Sequence, residues 1–281
     1  KSIKINEKYF FPIGLFMQSP NDISYQKSLG INTFVLNGDM QIFSNIAFLD
    51  SCKKNSVWGI INHIDSQSIR HDALMGWYLF DEPDIHKKNA IELIGKHNLL
   101  KNLYPNKLTM LNLGPGFSKI REKMDGWKYV SDDMYQNYFL ASDIISFDYY
   151  PVYACEPENI FLIGELQKEF SKIIPSDKIP FQFIECLNGT DISCSNLDRL
   201  EKDGINPEEL ENQVWQAIIN GAKGIIYYTH YVGYGPSRFL LDEPLINKLT
   251  YVNSKINQYK DVILSNDSAI KFQSNYPEDI D

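Results

Sequence analysis

The chain has 281 residues, 43% hydrophobic and 22% charged, which is the composition of an ordinary globular protein with enough length to bury a large core. Its 36 acidic residues outweigh 27 lysines and arginines, for a net charge of −9. An acidic surface with no local basic run argues against nucleic acid as a partner, and without a stretch of about 18 apolar residues no membrane span is expected.

Eight apolar runs bounded by turn residues read as strands, with helical patterns between most of them. In chain order, Phe10 to Met17 is the first strand, followed by a short helix over Asp22 to Leu29 that stops at Gly30. Thr33 to Leu36 is the second strand, and a helix over Gln41 to Asn55 follows it. Val57 to Ile61 is the third, but only about a dozen residues then precede Leu74, which is short for a crossover helix with two loops. Leu74 to Phe80 is the fourth strand, and the helix from His86 to Tyr104 is ended by Pro105. Leu108 to Leu113 and Ile144 to Phe147 are the fifth and sixth strands. Helices over Ser131 to Ala141 and Glu158 to Ile174 flank the sixth. Phe181 to Ile184 is the seventh strand. The next helix, Asn206 to Gly221, opens Asn206-Pro207-Glu208-Glu209, a cap with proline at the first helical position. Gly224 to Tyr228 is the eighth strand, and Pro244 to Asn257 is the last helix.

The strands are short and continuous rather than alternating, as expected for strands buried on both faces. Regular alternation of strand and helix implies a parallel sheet with crossover helices. Eight units in this length favour a closed barrel. The expectation is therefore α/β, a single (β/α)8 barrel over residues 1–281, with a short or missing third helix. No GxGxxG or phosphate-binding loop follows the first strand, which removes the usual nucleotide-binding alternatives. Cys52, Cys155, Cys186 and Cys194 form no CxxC pair, and the five histidines are scattered with no HxH motif. No metal and no organic cofactor are expected. Cys186 and Cys194 could close a short disulfide loop, or all four cysteines could be thiols. Asn188-Gly189-Thr190 and Asn266-Asp267-Ser268 fit the glycosylation pattern, which often matches by chance. The sequence opens at Lys1 with no signal peptide in view and reads as a mature or trimmed product.

In such a barrel the chemistry gathers at the C-terminal ends of the strands. The fourth ends in Phe80-Asp81-Glu82-Pro83-Asp84, the sixth in Asp148-Tyr149-Tyr150, the seventh in Ile184-Glu185-Cys186, and the eighth in Tyr228-Thr229-His230. Glu82 follows a buried strand; its bland alternative is a charge at a helix N-terminus. Glu185 ends an apolar run with no charged neighbour, where a carboxylate is costly to desolvate without a purpose. Its bland alternative is a rim salt bridge. Two glutamates on the fourth and seventh strands would face each other across the mouth. Glycoside cleavage with retention requires one carboxylic acid to protonate the leaving oxygen and one carboxylate to attack the anomeric carbon, about 5 Å apart.

Gly76-Trp77-Tyr78-Leu79-Phe80-Asp81-Glu82-Pro83, Phe183-Ile184-Glu185 and the segment from Asn212 to Ile225 resemble the retaining glycoside hydrolases of the (β/α)8-barrel clan A type. The resemblance covers nearly the whole chain as an architecture, while only these segments carry sequence detail. It implies Glu82 as acid/base and Glu185 as nucleophile. The clan usually has Asn before the acid/base, binding the sugar 2-hydroxyl; here it is Asp81, which when ionised accepts but cannot donate. That departure points to an unusual sugar or 2-substituent. By the same resemblance Tyr149 or Tyr150 could donate a hydrogen bond to the nucleophile, with only one of the two expected to face the mouth. Tyr228 and His230 are candidates for an aromatic sugar platform.

His63, Asn37 and Asn112 end the third, second and fifth strands and could bind sugar hydroxyls; each could equally serve local structure. Trp77 reads as core. A carbohydrate substrate is the expected partner, with oligomeric state open. A secreted, periplasmic or cell-surface location is the matching expectation. Two rival activities remain: a carbohydrate-binding protein on the same scaffold, and a barrel enzyme of another class such as a metal-dependent hydrolase or a lyase.

Overall fold

The computed structural model describes residues 1–37, 44–119, 131–154, 156–186, 204–229 and 242–265. The chain opens with an antiparallel hairpin, β1 (Ile3–Ile5) and β2 (Lys8–Phe10), turned by Asn6 and Glu7 at φ 50° and 64°. Paired positive φ angles match the right-handed twist of a tight hairpin.

Eight parallel strands then close into a barrel: β3 (Ile13–Phe16), β4 (Thr33–Val35), β5 (Trp58–Ile61), β6 (Leu74–Asp81), β7 (Leu108–Leu113), β8 (Ile144–Phe147), β9 (Ile179–Glu185) and β10 (Ile225–Tyr228). Ring closure is made by β10 on β3, with Ile225 opposite Ile13 and Tyr227 opposite Leu15. The crossovers carry α1 (Ile23–Ser28), α2 (Asn45–Lys54), α3 (Ala90–Leu103), α4 (Asp132–Phe139), α5 (Leu162–Ile173) and α6 (Pro207–Ile219), and α7 (Glu243–Leu264) follows β10. Between β5 and β6 there is only one 3-10 turn, Ser68–Arg70, in place of a third helix.

The eight strands coincide with the eight apolar runs, with differences at the edges that have local causes. Phe10 belongs to the hairpin, and the first barrel strand begins at Ile13, because Pro12 has no N–H to continue a ladder. α3 starts at Ala90 under an Asn89 cap rather than at His86. Residues 83–88 form a turn instead, with the His86 N–H donating to the Glu82 carbonyl and the Lys88 N–H to that of Pro83. α2 starts at Asn45 under a Ser44 cap; residues 41–43 lie outside the described residues. α6 carries the full capping box, the Asn206 side chain accepting from the Glu209 N–H and the Glu209 carboxylate from the Asn206 N–H. α7 continues to Leu264, well past Asn257.

Two apolar clusters result. Phe16, Val35, Ile60, Met75, Tyr78, Met110, Phe181, Phe183 and Ile226 fill the barrel interior. A larger cluster, which includes Trp77, packs the outer faces of the strands under the helices. β6 bulges against β7 between Tyr78 and Phe80. Leu79 and Phe80 therefore both pack with the outer cluster, and Asp81 turns inward on the side of Tyr78, whose hydroxyl it accepts at 2.6 Å. Cys52 and Cys186 are buried free thiols, which removes the Cys186–Cys194 bridge. Cys155, Cys194 and both glycosylation patterns lie outside the described residues. No helix of the described residues is long and apolar enough to cross a membrane.

Candidate active site

The C-terminal mouth of the barrel holds a cavity of about 420 Å³, within the range of small-molecule sites. One wall is aromatic. Tyr228, at the end of β10, stacks on Tyr150 at 5.3 Å between ring centroids and 15° between planes. Phe16 meets Phe183 edge-on at 5.2 Å beneath them. The lining also carries three acids: Asp81 and Glu82 from the end of β6, and Asp148 just past β8.

Each acid is held differently. Asp81 accepts from the Tyr78 hydroxyl at 2.6 Å, the Asn37 amide at 3.1 Å and the Asn112 amide at 3.1 Å. Burial raises its pKa, and these three bonds work against the rise. Asp84 is fully buried behind the mouth and accepts from the Gly114 N–H and, at 2.6 Å, from the Tyr135 hydroxyl. Burial still pushes it up to about 6. Glu82 stands at φ 45°, a left-handed conformation that costs a non-glycine residue about 1–3 kcal/mol and tends to occur at functional sites. Burial first, then the charges of Asp81 and Asp84, push its pKa up to about 7. Its carboxyl meets that of Asp148, and burial together with Glu82 raises Asp148 well above the usual carboxylate range.

Glu185 ends β9 opposite Tyr228 in register, on the same side of the strand as the interior residues Phe181 and Phe183. It is 1% exposed. One carboxylate oxygen accepts the Val152 N–H at 3.1 Å, and the other accepts the Tyr153 N–H. Two backbone donors favour the ionised form of a carboxyl group.

The remaining expected residues divide. Tyr149 and Tyr150 both line the cavity. Both lie past the end of β8, so strand alternation does not force one of them away, contrary to the one-facing expectation. Burial leads the rise of Tyr149 to about 12, and Glu185 is among the acids that add to it. Asn112 lines the cavity, but its amide is committed to Asp81, as is that of Asn37. His63 is exposed beyond β5, and its carbonyl accepts from Asn45. His230 lies outside the described residues. Asp148 and Asp84 had not been singled out. Asp148 follows Phe147 as Glu185 follows Ile184, the first acid after a buried strand, and that parallel was the signal available.

No protein-family model matches the sequence, and no curated protein matches it. The fold does match solved structures. A GH2 β-galacturonidase from Eisenbergiella tayi bound to galacturonate aligns with a TM-score of 0.59 and 11% identity over 91% of this chain and 53% of that one. An exo-β-1,4-mannosidase from Opitutaceae bacterium strain TAV5 gives 0.60 and 11% over 92% and 61%. A β-glucuronidase from an uncultured Clostridium species gives 0.57 and 11% over 91% and 52%. The chain thus spans roughly half to three fifths of the length of these proteins. At such identities the likeness establishes the fold: a single (β/α)8 barrel of the architecture found in these glycoside hydrolases.

Proposed function

We propose that the protein is a glycoside hydrolase that cleaves an O-glycosidic bond of an oligo- or polysaccharide with retention, Glu82 acting as acid/base and Glu185 as nucleophile. The observation that carries the reading is the Glu82 carboxyl group in a cavity with an aromatic wall, its pKa raised to about 7 by burial and by Asp81 and Asp84. A general acid works best when its pKa lies near the working pH. Glu185 is the complementary group, steadied as an anion by the Val152 and Tyr153 N–H groups. In the first half-reaction the Glu82 proton goes to the leaving oxygen while Glu185 attacks the anomeric carbon, giving a glycosyl ester and a free alcohol. In the second, Glu82 as carboxylate takes a proton from water, the resulting hydroxyl bonds to the anomeric carbon, and Glu185 leaves. Stacked Tyr150 and Tyr228 offer a flat apolar surface for a sugar ring. Residues 152–153 must lift from Glu185 as substrate enters, since they enclose it. A polysaccharide substrate goes with a secreted, periplasmic or cell-surface location.

The same enclosure favours a second reading, a carbohydrate-binding protein whose Glu185 anchors the loop after β8. A 2-deoxy-2-fluoro glycoside with a dinitrophenyl leaving group, offered across several sugar configurations, separates the two. The enzyme reading expects a mass gain of one fluoroglycosyl unit on the peptide that contains Glu185. Unchanged turnover of a confirmed substrate in both Glu82→Gln and Glu185→Gln would sink the assignment.

A further inference from the structure

Two carboxyl groups in contact attract only if a proton lies between them, because two carboxylates at that range repel strongly. The Glu82–Asp148 contact is such a pair. The backbone fixes both partners: the Glu82 N–H donates to the Asn112 carbonyl at 3.0 Å, and the Asp148 N–H to the Leu113 carbonyl at 3.1 Å. Both are thereby tied to adjacent residues at the end of β7. Asp81 and Asp84 already hold neutral donors of their own. The titratable groups that act with the pair are Tyr78 and Asp81 from β6, Asp84 from the turn after it, Tyr150 from the segment after β8 and Tyr228 from β10, and Tyr149 and Tyr153 line the same cavity. His86, in the turn after β6, acts on Asp81. No lysine or arginine is among the residues described as lining this cavity.

We propose that Asp148 is a positioning residue that keeps its own proton throughout turnover and donates it as a hydrogen bond to the Glu82 carboxylate. This rests on Glu82 being the acid/base. When Glu82 gives its proton to the leaving oxygen, the new carboxylate accepts the Asp148 O–H, which steadies the anion and fixes its direction. When Glu82 later takes a proton from water, that bond relaxes. Asp148 neither gains nor loses a proton over the cycle, so the balance of the hydrolysis is unchanged. The direction of the contact agrees: the hydrogen bond between them raises the pKa of Asp148 and lowers that of Glu82, as it does when Asp148 is the donor.

The test is the pH dependence of kcat/KM on an aryl glycoside for the wild type, Asp148→Asn and Asp148→Ala. Asparagine is neutral and still donates. It is expected to keep the basic limb within about 0.3 pH units of wild type and the rate within about fivefold. Alanine removes the donor, and the basic limb is expected to move up by about one unit as the Glu82 anion loses its hydrogen bond. If Asp148 is instead ionised, Asp148→Asn removes a negative neighbour and moves the limb down by a unit or more, which overturns the proposal. Infrared titration of the substrate-free protein gives a reading independent of activity. A protonated carboxyl band that persists above pH 8, shifts on aspartate carboxyl 13C labelling and disappears in Asp148→Asn is expected. Absence of such a band in the wild type overturns the proposal. A band that is present while Glu82→Gln leaves turnover intact would remove Glu82 from its role and leave the proton on Asp148 standing.

Discussion

The two ends of the barrel treat charge in opposite ways. Where the strands begin, Asp143 accepts from the Thr109 N–H and lies 3.1 Å from the Lys101 ammonium. Lys101 also donates to the carbonyls of Pro105 and Lys107, and Lys107 to that of Leu74. Where the strands end, Asp81, Glu82, Asp84 and Asp148 are gathered with neutral donors and with one another. The cavity at the first end, roofed by the N-terminal hairpin, is the larger, about 540 Å³ against 420 Å³. Volume therefore does not identify the working end. Charge that is answered by opposite charge serves stability, while like charge held together at a cost marks a site.

The sharpest test of this contrast is Glu82→Gln, expected to lower kcat/KM by about 10² to 10⁴ on substrates with poor leaving groups, the usual contribution of a general acid. Activated aryl leaving groups need little protonation and should lose much less. A second test concerns stability against pH. Glu82 is raised from 4.5 to about 7 in the folded protein, so between those values the native state binds more protons than the unfolded state. Stability must therefore fall as pH rises from about 4.5 to about 7, by on the order of 3 kcal/mol for this one group. Glu82→Gln removes that loss, so the variant should melt several degrees above wild type at pH 8 and close to it at pH 4.5. A wild type that is more stable at pH 8 than at pH 5.5 would contradict the charge crowding at the mouth.

At the other end, Asp143→Ala leaves the Thr109 N–H without its acceptor and Lys101 without its anionic partner. It should cost about 1–3 kcal/mol in urea unfolding while leaving the pH–rate profile in place. A shifted profile would mean that the ends are not independent. The smallest expected effect is at the aromatic wall. Tyr228→Ala should raise KM about tenfold with little change in kcat, while Tyr228→Phe stays near wild type, since stacking on Tyr150 and not the hydroxyl makes the platform. Equal losses in both would point to the hydroxyl.

Much of the fold was legible because burial on both faces leaves an unbroken apolar run, and all eight barrel strands could be found that way. The hairpin was not, because Ile3–Ile5 and Lys8–Phe10 are too short and mixed to stand out, and their turn uses Asn6 and Glu7 rather than a glycine pair. In the site, Glu82 and Glu185 could be named as acids that follow buried strands. The proton partner of Glu82 could not, because Asp148 is 66 positions away and nothing local marks the contact.

Sequence by itself determined the number of barrel strands, the short or missing third helix, the cap at Asn206 and the positions at which acids end strands. These follow from periodicity, spacing and local hydrogen-bonding chemistry, which a chain carries in its own order. Only the tertiary structure decided which way the acids point and what each one meets. The bulge after Tyr78 turns Asp81 inward, the loop after β8 comes to rest on Glu185, and the pairing of β6 and β8 with the two sides of β7 brings Asp148 to Glu82. Those outcomes depend on register and on contacts between distant segments, and so does the protonation of each carboxyl group, because burial and neighbouring charge set it.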